Sequence, residues 1–400
     1  MVRVDINLNP VKNSNLTRTV RRSDATNANP TQLHWGSVLR GKPTPRLVLS
    51  SDTPDFDPTL IDHWRDEGFI VGYLQFDGNP KAYRAQLMHL AESLELSDKW
   101  AICAFGEAAT ECLEACMKPM PKLIALLAYY PTHLPRSTAE YPPSLAVQIH
   151  LAGTQVNLKH SRAPNFAPLI YHYPDSSPGF AEYDLDEHDK VSSRISWSRS
   201  LGVLRRAFDF SIDLEAIWEN HTALEFEERD ADKTMATMVS EPYVNHIPTM
   251  TGGIGAKDLH RFYKDYFIPG NPPDTAIKLL SRTVGSDRVV DEMAFSFTHT
   301  QEVPWMLPGV PATGKKAKVA LVSIVSIRGG KLYYEHIYWD QASVLVQIGL
   351  LDPKLVPDGF KTSEQGREKE VKRLPVVGKE AVAKVADEDV GESNLLIEDW

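Results

Sequence analysis

Continuously apolar runs alternate with segments of helical spacing in the first half of the chain. The runs predict six strands, RLVLSS (46–51), FIVGYLQF (69–76), WAICAF (100–105), LIALLAYY (123–130), SLAVQIHLAG (144–153) and LIYHYP (169–174). Segments between them predict helices, and DKVSSRISWSRSLGVLRRAFD (189–209) predicts a long closing helix. Apolar strands without polar alternation, separated by helices, indicate a parallel sheet covered on both faces. We therefore predict an α/β domain.

The pattern changes near residue 212. DLEAIWENHTALEFEERDADKTMATM (213–238) predicts one long amphipathic helix, and AKDLHRFYKDYFI (256–268) predicts a second. From about residue 280 the chain turns to alternating strand patterns, with Gly329–Gly330 at a hairpin turn. Arg282, just before a strand, is expected to pair with Asp291 or Glu292. Helices followed by antiparallel strands predict a separate α+β domain.

These patterns divide the chain into four parts. They are a polar arm (1–44) that orders only by docking, the α/β domain (45–210), the α+β domain (211–361) and a charged tail (362–400). The tail lacks a stable period, and we predict that it is mostly mobile, although LLIEDW at its end could dock.

Composition excludes several classes of function. The net charge of −10 disfavours a nucleic-acid partner, which requires a basic face. No run approaches ~18 consecutive apolar residues, and the first residues lack the apolar core of a secretory signal, so we expect no membrane association. The three cysteines, Cys103, Cys112 and Cys116, are clustered and odd in number, which favours reduced thiols in the cytoplasm.

The segment AFGEAA (104–109) ends an apolar strand and opens a helix. A strand that runs into a small-residue turn and a helix is typical of the elbow on which a hydrolase presents its nucleophile. With the strand order, LIYHYPDSSPGF (169–180) and SRISWSRSLGVLRRAF (193–208), it makes residues 45–210 resemble the dienelactone hydrolase branch of the α/β-hydrolases. The resemblance implies an α/β hydrolase-like fold and a coupled nucleophile, acid and histidine.

This sequence departs from that triad at every position. Gly106 stands at the elbow, Gln155 stands where an acid is expected, and Pro178 stands where the histidine is expected. We therefore interpret the domain as a degenerate hydrolase, a pseudohydrolase that serves as scaffold. Glu107 is expected to cap the helix after the elbow, and an active hydrolase would need Cys103 as its nucleophile.

The second half carries a different resemblance. PYVNHIPTMTGG (242–253) and GKLYYEHIYWDQASVLVQIGLLD (330–352), with the two helices, resemble the SnoaL-like polyketide cyclases. That family has a cone-shaped α+β fold, shared with nuclear transport factor 2 and ketosteroid isomerase. The resemblance implies a cofactor-independent enzyme without a metal, a lyase or isomerase that cyclises a polyketide-like small molecule by aldol, lactone or pyrone formation, or isomerises it.

The resemblance also implies site residues. Asp340 takes a proton from the substrate at the dry floor of the pocket, and His246 donates to the developing enolate oxygen. Alternatives remain for both, because Asp340 could cap the next helix and His246 could fix its loop. The loop VPWMLPGVPATGKK (303–316) is predicted to border the pocket. The remaining substrate-binding candidates are histidine and aromatic residues: His299, His336, Tyr338, Tyr263, Trp305 and Trp339.

A chain that joins these two domain types resembles proteins of filamentous fungi and their secondary-metabolite pathways. Both folds commonly self-associate, so a homodimer is expected. A cluster of three histidines and an aspartate could also bind a metal, but the spacing is not a metal signature. Two other functions stay open: an active dienelactone-type hydrolase, and a non-enzymatic binding or assembly protein.

Overall fold

A computed structural model gives the structure of part of the chain. It describes residues 44–95, 97–136, 139–155, 158, 168–356, 361–364, 367–371 and 373–397. The predicted arm lies outside these residues, apart from residue 44. The chain divides into two compact units between Ser211 and Ile212.

The N-terminal unit is built on a six-stranded sheet. Its strands are β1 (Arg46–Ser51), β2 (Ile70–Gln75), β3 (Trp100–Phe105), β4 (Leu123–Tyr129), β5 (Ala146–Ala152) and β6 (Leu169–Tyr173). Its helices are α1 (Pro58–Asp66), α2 (Pro80–His89), α3 (Gly106–Ala115) and α4 (Lys190–Phe208). The strands are all parallel in the order β2-β1-β3-β4-β5-β6, which confirms the prediction of an α/β domain with a parallel sheet.

Local sequence explains where the helices of this unit begin. The Asp57 carboxylate accepts hydrogen bonds from the backbone N–H groups of Thr59 and Leu60 and so caps α1. Asp189 caps α4 in the same way. Strands β1 and β3 are buried throughout, because helices cover both faces of the sheet.

The C-terminal unit is built on a second six-stranded sheet. Its strands are β7 (Met238–His246), β8 (Thr251–Ile254), β9 (Ala276–Val284), β10 (Arg288–Thr298), β11 (Lys316–Arg328) and β12 (Lys331–Trp339). Its helices are α5 (Leu214–Ala223), α6 (Ala231–Ala236), α7 (Ala256–Phe262) and α8 (Gln341–Ile348). The order is β8-β7-β12-β11-β10-β9, and every pair is antiparallel except β7 with β12. Gly329–Gly330 joins β11 to β12, as predicted.

The single long helix predicted over 213–238 is wrong. Helix α5 continues into a π-helical turn, Leu224–Glu228, and the chain then leaves the helix at Arg229, whose φ of 56° is left-handed. Asp230 caps the separate helix α6. Helix α7 likewise continues into a π-helical turn, Tyr263–Phe267.

The tail contains regular structure that the sequence pattern did not predict. Strands β13 (Lys361–Glu364) and β14 (Arg367–Glu370) form a hairpin, and helix α9 (Glu380–Ala386) follows. Val382 of α9 is buried, and the Ser343 hydroxyl donates to the carbonyl of Gly378 at 2.8 Å. Of the terminal LLIEDW, Leu395 to Ile397 are exposed and the last three residues lie outside the described ones. Among the described helices, none has the length and hydropathy to cross a bilayer.

Two glycines of the N-terminal unit give a matched test of the backbone. Gly106 has φ +59° with open space where a Cβ would stand, whereas a Cβ on Gly153 would clash with the carbonyl of Pro174. We expect Gly106→Ala to lower the free energy of unfolding by about 1–2 kcal/mol through strain alone. Gly153→Ala should cost roughly 3 kcal/mol, because backbone must move. Urea denaturation measures both, and equal losses would contradict the elbow geometry.

Candidate functional site

A narrow cavity opens between the sheet and the helices of the C-terminal unit. It encloses about 530 Å³ of empty space, its mouth included, and little of that space is wide enough for a water molecule. Most of its lining is apolar or aromatic, and the lining residues are Trp218, Thr222, Glu225, Phe226, Val244, His246, Tyr263, Phe267, Ile277, Met293, Phe295, Trp305, Leu321, Ser323, Glu335 and Ile337.

Two carboxylates and a histidine meet at the wall of this cavity. The Nε2 atom of His221 lies 3.1 Å from Oε1 of Glu225 and 3.2 Å from Oε1 of Glu335. The hydroxyl of Tyr263 lies 3.4 Å from the same Glu335 oxygen. All four side chains are buried. The π-helical turns supply Glu225 and Tyr263, helix α5 supplies His221, and β12 supplies Glu335.

The hydrogen bonds show that His221 carries two protons. The Thr237 hydroxyl donates its one proton to the carbonyl of Thr234 at 2.6 Å, so its oxygen must accept from Nδ1 of His221, also at 2.6 Å. The opposite nitrogen, Nε2, faces carboxylate oxygens and must donate as well. His221 is therefore an imidazolium, held behind the two carboxylates that line the cavity.

The electrostatics agree with this assignment. Burial opposes charge on His221, but Glu225 and Glu335 outweigh it and raise its pKa to about 10. Burial also raises the pKa of Glu335, a shift that the neighbouring imidazolium partly offsets. A buried carboxylate of raised pKa is suited to accept a proton from carbon.

His246 lies in the same cavity but in a different protonation state. Its ring packs against Trp305, with ring centres 4.9 Å apart, and its Nδ1–H donates to the Thr251 carbonyl at 3.2 Å. Burial lowers its pKa to about 4, so the ring is neutral and Nε2 holds a lone pair. The expected donation to an enolate oxygen is therefore corrected: His246 offers the cavity an acceptor.

The expectation that Asp340 lies dry at the floor of the pocket is wrong. Asp340 is exposed, and its Oδ1 accepts from the backbone N–H of Ala342 at 3.0 Å, which caps α8. The physical reason is its place in the chain: β12 ends at Trp339, and the next residue turns out to start the helix. Asp340 therefore has the alternative role considered for it, that of a cap on the next helix.

The other predicted site residues divide between the cavity and places outside it. Tyr263 and Trp305 line the cavity, and the Trp305 position agrees with the predicted loop at its border. Trp339 packs behind, against the ring of Trp305. The remaining three do not line the cavity: His336 packs on Tyr334, Tyr338 is 40 % exposed, and His299 is buried with Nδ1 3.1 Å from the Thr313 hydroxyl.

Sequence reasoning missed His221, Glu225 and Glu335. One signal was available, since His221 and Glu225 are four residues apart and share a helix face. Glu335 gave a weaker signal as a charge inside an apolar strand. The three residues place possible ligand atoms within 4.8 Å of one another. Because both His221 nitrogens carry protons in the observed bonds, a metal ion would first have to displace one.

Arg282 forms the predicted pair. Its Nε and Nη2 donate to the two oxygens of the buried Asp291, at 2.8 and 2.9 Å. The expectation of a salt bridge rather than substrate binding is confirmed, and the pair ties β9 to β10 outside the reacting cluster.

The three positions at which the resemblance implies a nucleophile, an acid and a histidine hold none of these groups. Gly106 keeps a left-handed backbone, with φ +59°, at the start of α3. Both ends of the Gln155 amide are bound to backbone: Oε1 accepts from Ala152 N–H at 2.9 Å and Nε2 donates to the Pro131 carbonyl at 2.7 Å. Pro178, in the turn after β6, has no titratable group.

Two residues near the elbow bear on the roles considered for this domain. Cys103, which an active hydrolase would need as its nucleophile, is buried within β3, and burial raises the pKa of its thiol well above the usual range. Glu107 is exposed in the first turn of α3, and that helix has no side-chain cap, so the predicted capping role is wrong.

Comparisons with known proteins identify one domain family and several similar solved structures. Residues 219–335 match the family of SnoaL-like domains, which confirms the predicted domain type for that segment. Similar solved structures include TsrD from Streptomyces laurentii, with 19 % identity over 35 % of this chain and 100 % of that chain and a TM-score of 0.29. A candidate SnoaL-like polyketide cyclase from Jannaschia has 17 % identity over 36 % of this chain and 98 % of that chain and a TM-score of 0.28. A candidate dienelactone hydrolase from Klebsiella pneumoniae has 15 % identity over 41 % of this chain and 88 % of that chain and a TM-score of 0.32. No curated protein matches significantly.

The buried cluster predicts a pH-dependent loss of stability. His221→Gln should lower the free energy of unfolding by roughly 3–5 kcal/mol at pH 6, because it leaves buried carboxylates without their cation. The folded pKa of His221, about 10, exceeds the ordinary value of 6.5. Its contribution is therefore complete below pH 6.5 and is lost as the pH rises toward 10. Urea denaturation from pH 6 to 9 measures the decline.

His260 provides the control for this experiment. It pairs with Asp232 at 2.7 Å, but the pair lies at the surface. His260→Gln should cost less than about 1 kcal/mol. Equal losses in the two variants, or a loss for His221→Gln that does not shrink with pH, would contradict the buried imidazolium.

Proposed function

We propose that the C-terminal unit is a cofactor-independent acid–base enzyme that cyclises or isomerises a polyketide-like small molecule. One observation carries this proposal: Glu225 and Glu335 line a narrow aromatic cavity while His221 holds them from behind. The match to the SnoaL-like domains over residues 219–335 supports the same kind of chemistry.

The proposed step is proton abstraction next to a carbonyl group. The carboxylate of Glu335 or Glu225 takes the proton from carbon, and the C–H electron pair moves toward the carbonyl oxygen to form an enolate. In cyclisation the enolate carbon then attacks a second carbonyl of the same molecule, whose oxygen receives the proton. In isomerisation the proton returns to a different carbon. The apolar wall strengthens the base, because it disfavours a free carboxylate.

His221 is a positioning residue in this scheme. Its imidazolium does not line the cavity, but it fixes one oxygen of each carboxylate. Its positive charge also offsets the repulsion between the two carboxylates, which would otherwise push apart the helical turn and the strand that carry them.

For the N-terminal unit we propose the role of a scaffold without hydrolase activity. The absence of a side chain at Gly106, the bound amide of Gln155 and the proline at 178 support this role. Formation of a homodimer also stays a proposal.

Exchange of a carbon-bound proton tests the base directly. The probe is 2-tetralone, a flat uncharged ketone, and the readout is the rate at which its proton between ring and carbonyl exchanges in D₂O, followed by NMR. The wild-type protein should accelerate exchange above buffer. The variant at the residue that serves as the base, Glu335→Gln or Glu225→Gln, should lower the catalysed rate about 100-fold or more, because Gln keeps the shape but cannot accept the proton.

Asp340→Asn is the matched control. Asparagine caps helices as well as aspartate does, so the variant should fold normally and keep the exchange rate within about twofold. Circular dichroism and thermal melting verify the fold of all three variants. Loss of exchange in Asp340→Asn alone, or no catalysed exchange by the wild type, would overturn the proposed base.

A further inference from the structure

One polar side chain of the cavity has no protein partner. Ser323 on β11 is 1 % exposed, and its hydroxyl makes no hydrogen bond within the described part of the chain. The same side chain lines the cavity. A buried hydroxyl without a partner costs free energy, so its presence in an aromatic wall calls for a group that binds it.

The neighbours of Ser323 explain why it remains free to bind. On β10 it lies opposite Asp291, whose carboxylate is already occupied by Arg282 and by the Trp218 indole N–H at 2.8 Å. On β12 it lies opposite Ile337, which is apolar. Neither of these two neighbours therefore supplies a partner for the hydroxyl.

The other hydrogen-bond donors that line the cavity are already committed. The Trp305 indole donates to Asn271 at 2.9 Å, the Thr222 hydroxyl to a backbone carbonyl of its own helix, and the Tyr263 hydroxyl to Glu335. The available acceptors are the carboxylates and Nε2 of His246. No lysine or arginine is among the described lining residues. A negatively charged ligand would therefore meet carboxylates without a compensating cation.

We propose that Ser323 determines specificity, by donating a hydrogen bond to the carbonyl oxygen of a flat, uncharged, conjugated hydroxy-ketone whose hydroxyl donates to Nε2 of His246. This ligand class rests on the proposed function, since the same carbonyl acidifies the proton that the carboxylates take. The aromatic walls supply stacking surfaces for a conjugated ring. Carboxylic acids of the same shape are excluded by charge.

Equilibrium binding tests the ligand class without requiring turnover. The probes are 4′-hydroxyacetophenone, acetophenone and 4-hydroxybenzoate, and binding is followed by quenching of tryptophan fluorescence and by calorimetry. The first should bind tightest, and acetophenone, which lacks the hydroxyl, about threefold to tenfold more weakly. The carboxylate should bind at least about tenfold more weakly than the ketone of the same shape, because the cavity offers it no cation.

Substitution of Ser323 separates binding from structure. Ser323→Ala should weaken both ketones about threefold to tenfold by removing the donor. Its melting temperature should stay unchanged or rise by ~2–4 °C, since the hydroxyl has no partner in the protein. Ser281→Ala is the control, because Ser281 is exposed on β9 and bonds to Glu292; it should bind all probes as the wild type does.

Each result decides the proposal. Weaker ketone binding by Ser323→Ala with retained stability supports it. Unchanged binding in that variant means that the hydroxyl binds only a water molecule and not the ligand. This result overturns the proposal. Equal or tighter binding of 4-hydroxybenzoate, or no binding of either ketone by the wild type, also overturns it. Failure of proton exchange while the ketones still bind through Ser323 would instead reject the proposed function alone.

Discussion

The C-terminal unit places an imidazolium between two carboxylates inside an apolar wall. Desolvation of these ions is costly, and the cluster is stable because every proton of His221 reaches an oxygen: Thr237 on one side, Glu225 and Glu335 on the other. The interaction joins helix α5 to strand β12. It therefore holds the wall of the cavity together and orients the groups that would react there.

The geometry of the two helices that cover the cavity follows from the same requirement. Each ends in a π-helical turn, and each turn contains a residue of the cluster, Glu225 in one and Tyr263 in the other. A π turn adds a residue to the helical repeat, which rotates the following side chains relative to a regular α-helix. Such turns are frequent at functional sites. Here they bring a carboxylate and a phenol to the same cavity.

The N-terminal unit shows that backbone geometry and catalytic chemistry have separate requirements. Gly106 is left-handed at a strand-to-helix turn and the sheet is parallel, while Gly106, Gln155 and Pro178 supply no nucleophile, acid or base. Backbone geometry is determined by the packing of buried strands and helices, whereas catalysis depends on particular side chains. The same packing can therefore occur with or without a catalytic triad.

The sequence by itself determined the class of both units, an α/β domain followed by an α+β domain. Buried strands, helix periods and the Gly329–Gly330 turn are local signals, because the repeat of side-chain burial depends on the backbone conformation of neighbouring residues. The Arg282–Asp291 pair could be predicted for the same reason, because its two residues lie on strands that are consecutive in the chain and paired in the sheet. The resemblance at residues 330–352 identified the type of domain but assigned the wrong carboxylate.

Tertiary structure alone decided which polar groups face the cavity. Asp340 and Glu335 stand five residues apart in one segment, and their burial differs because β12 ends between them. The protonation of His221 depends on residues from helix α5, strand β12 and the Thr237 turn, which are far apart in the chain. Burial and proton position are set by partners brought together in space, and no spacing along the sequence encodes them.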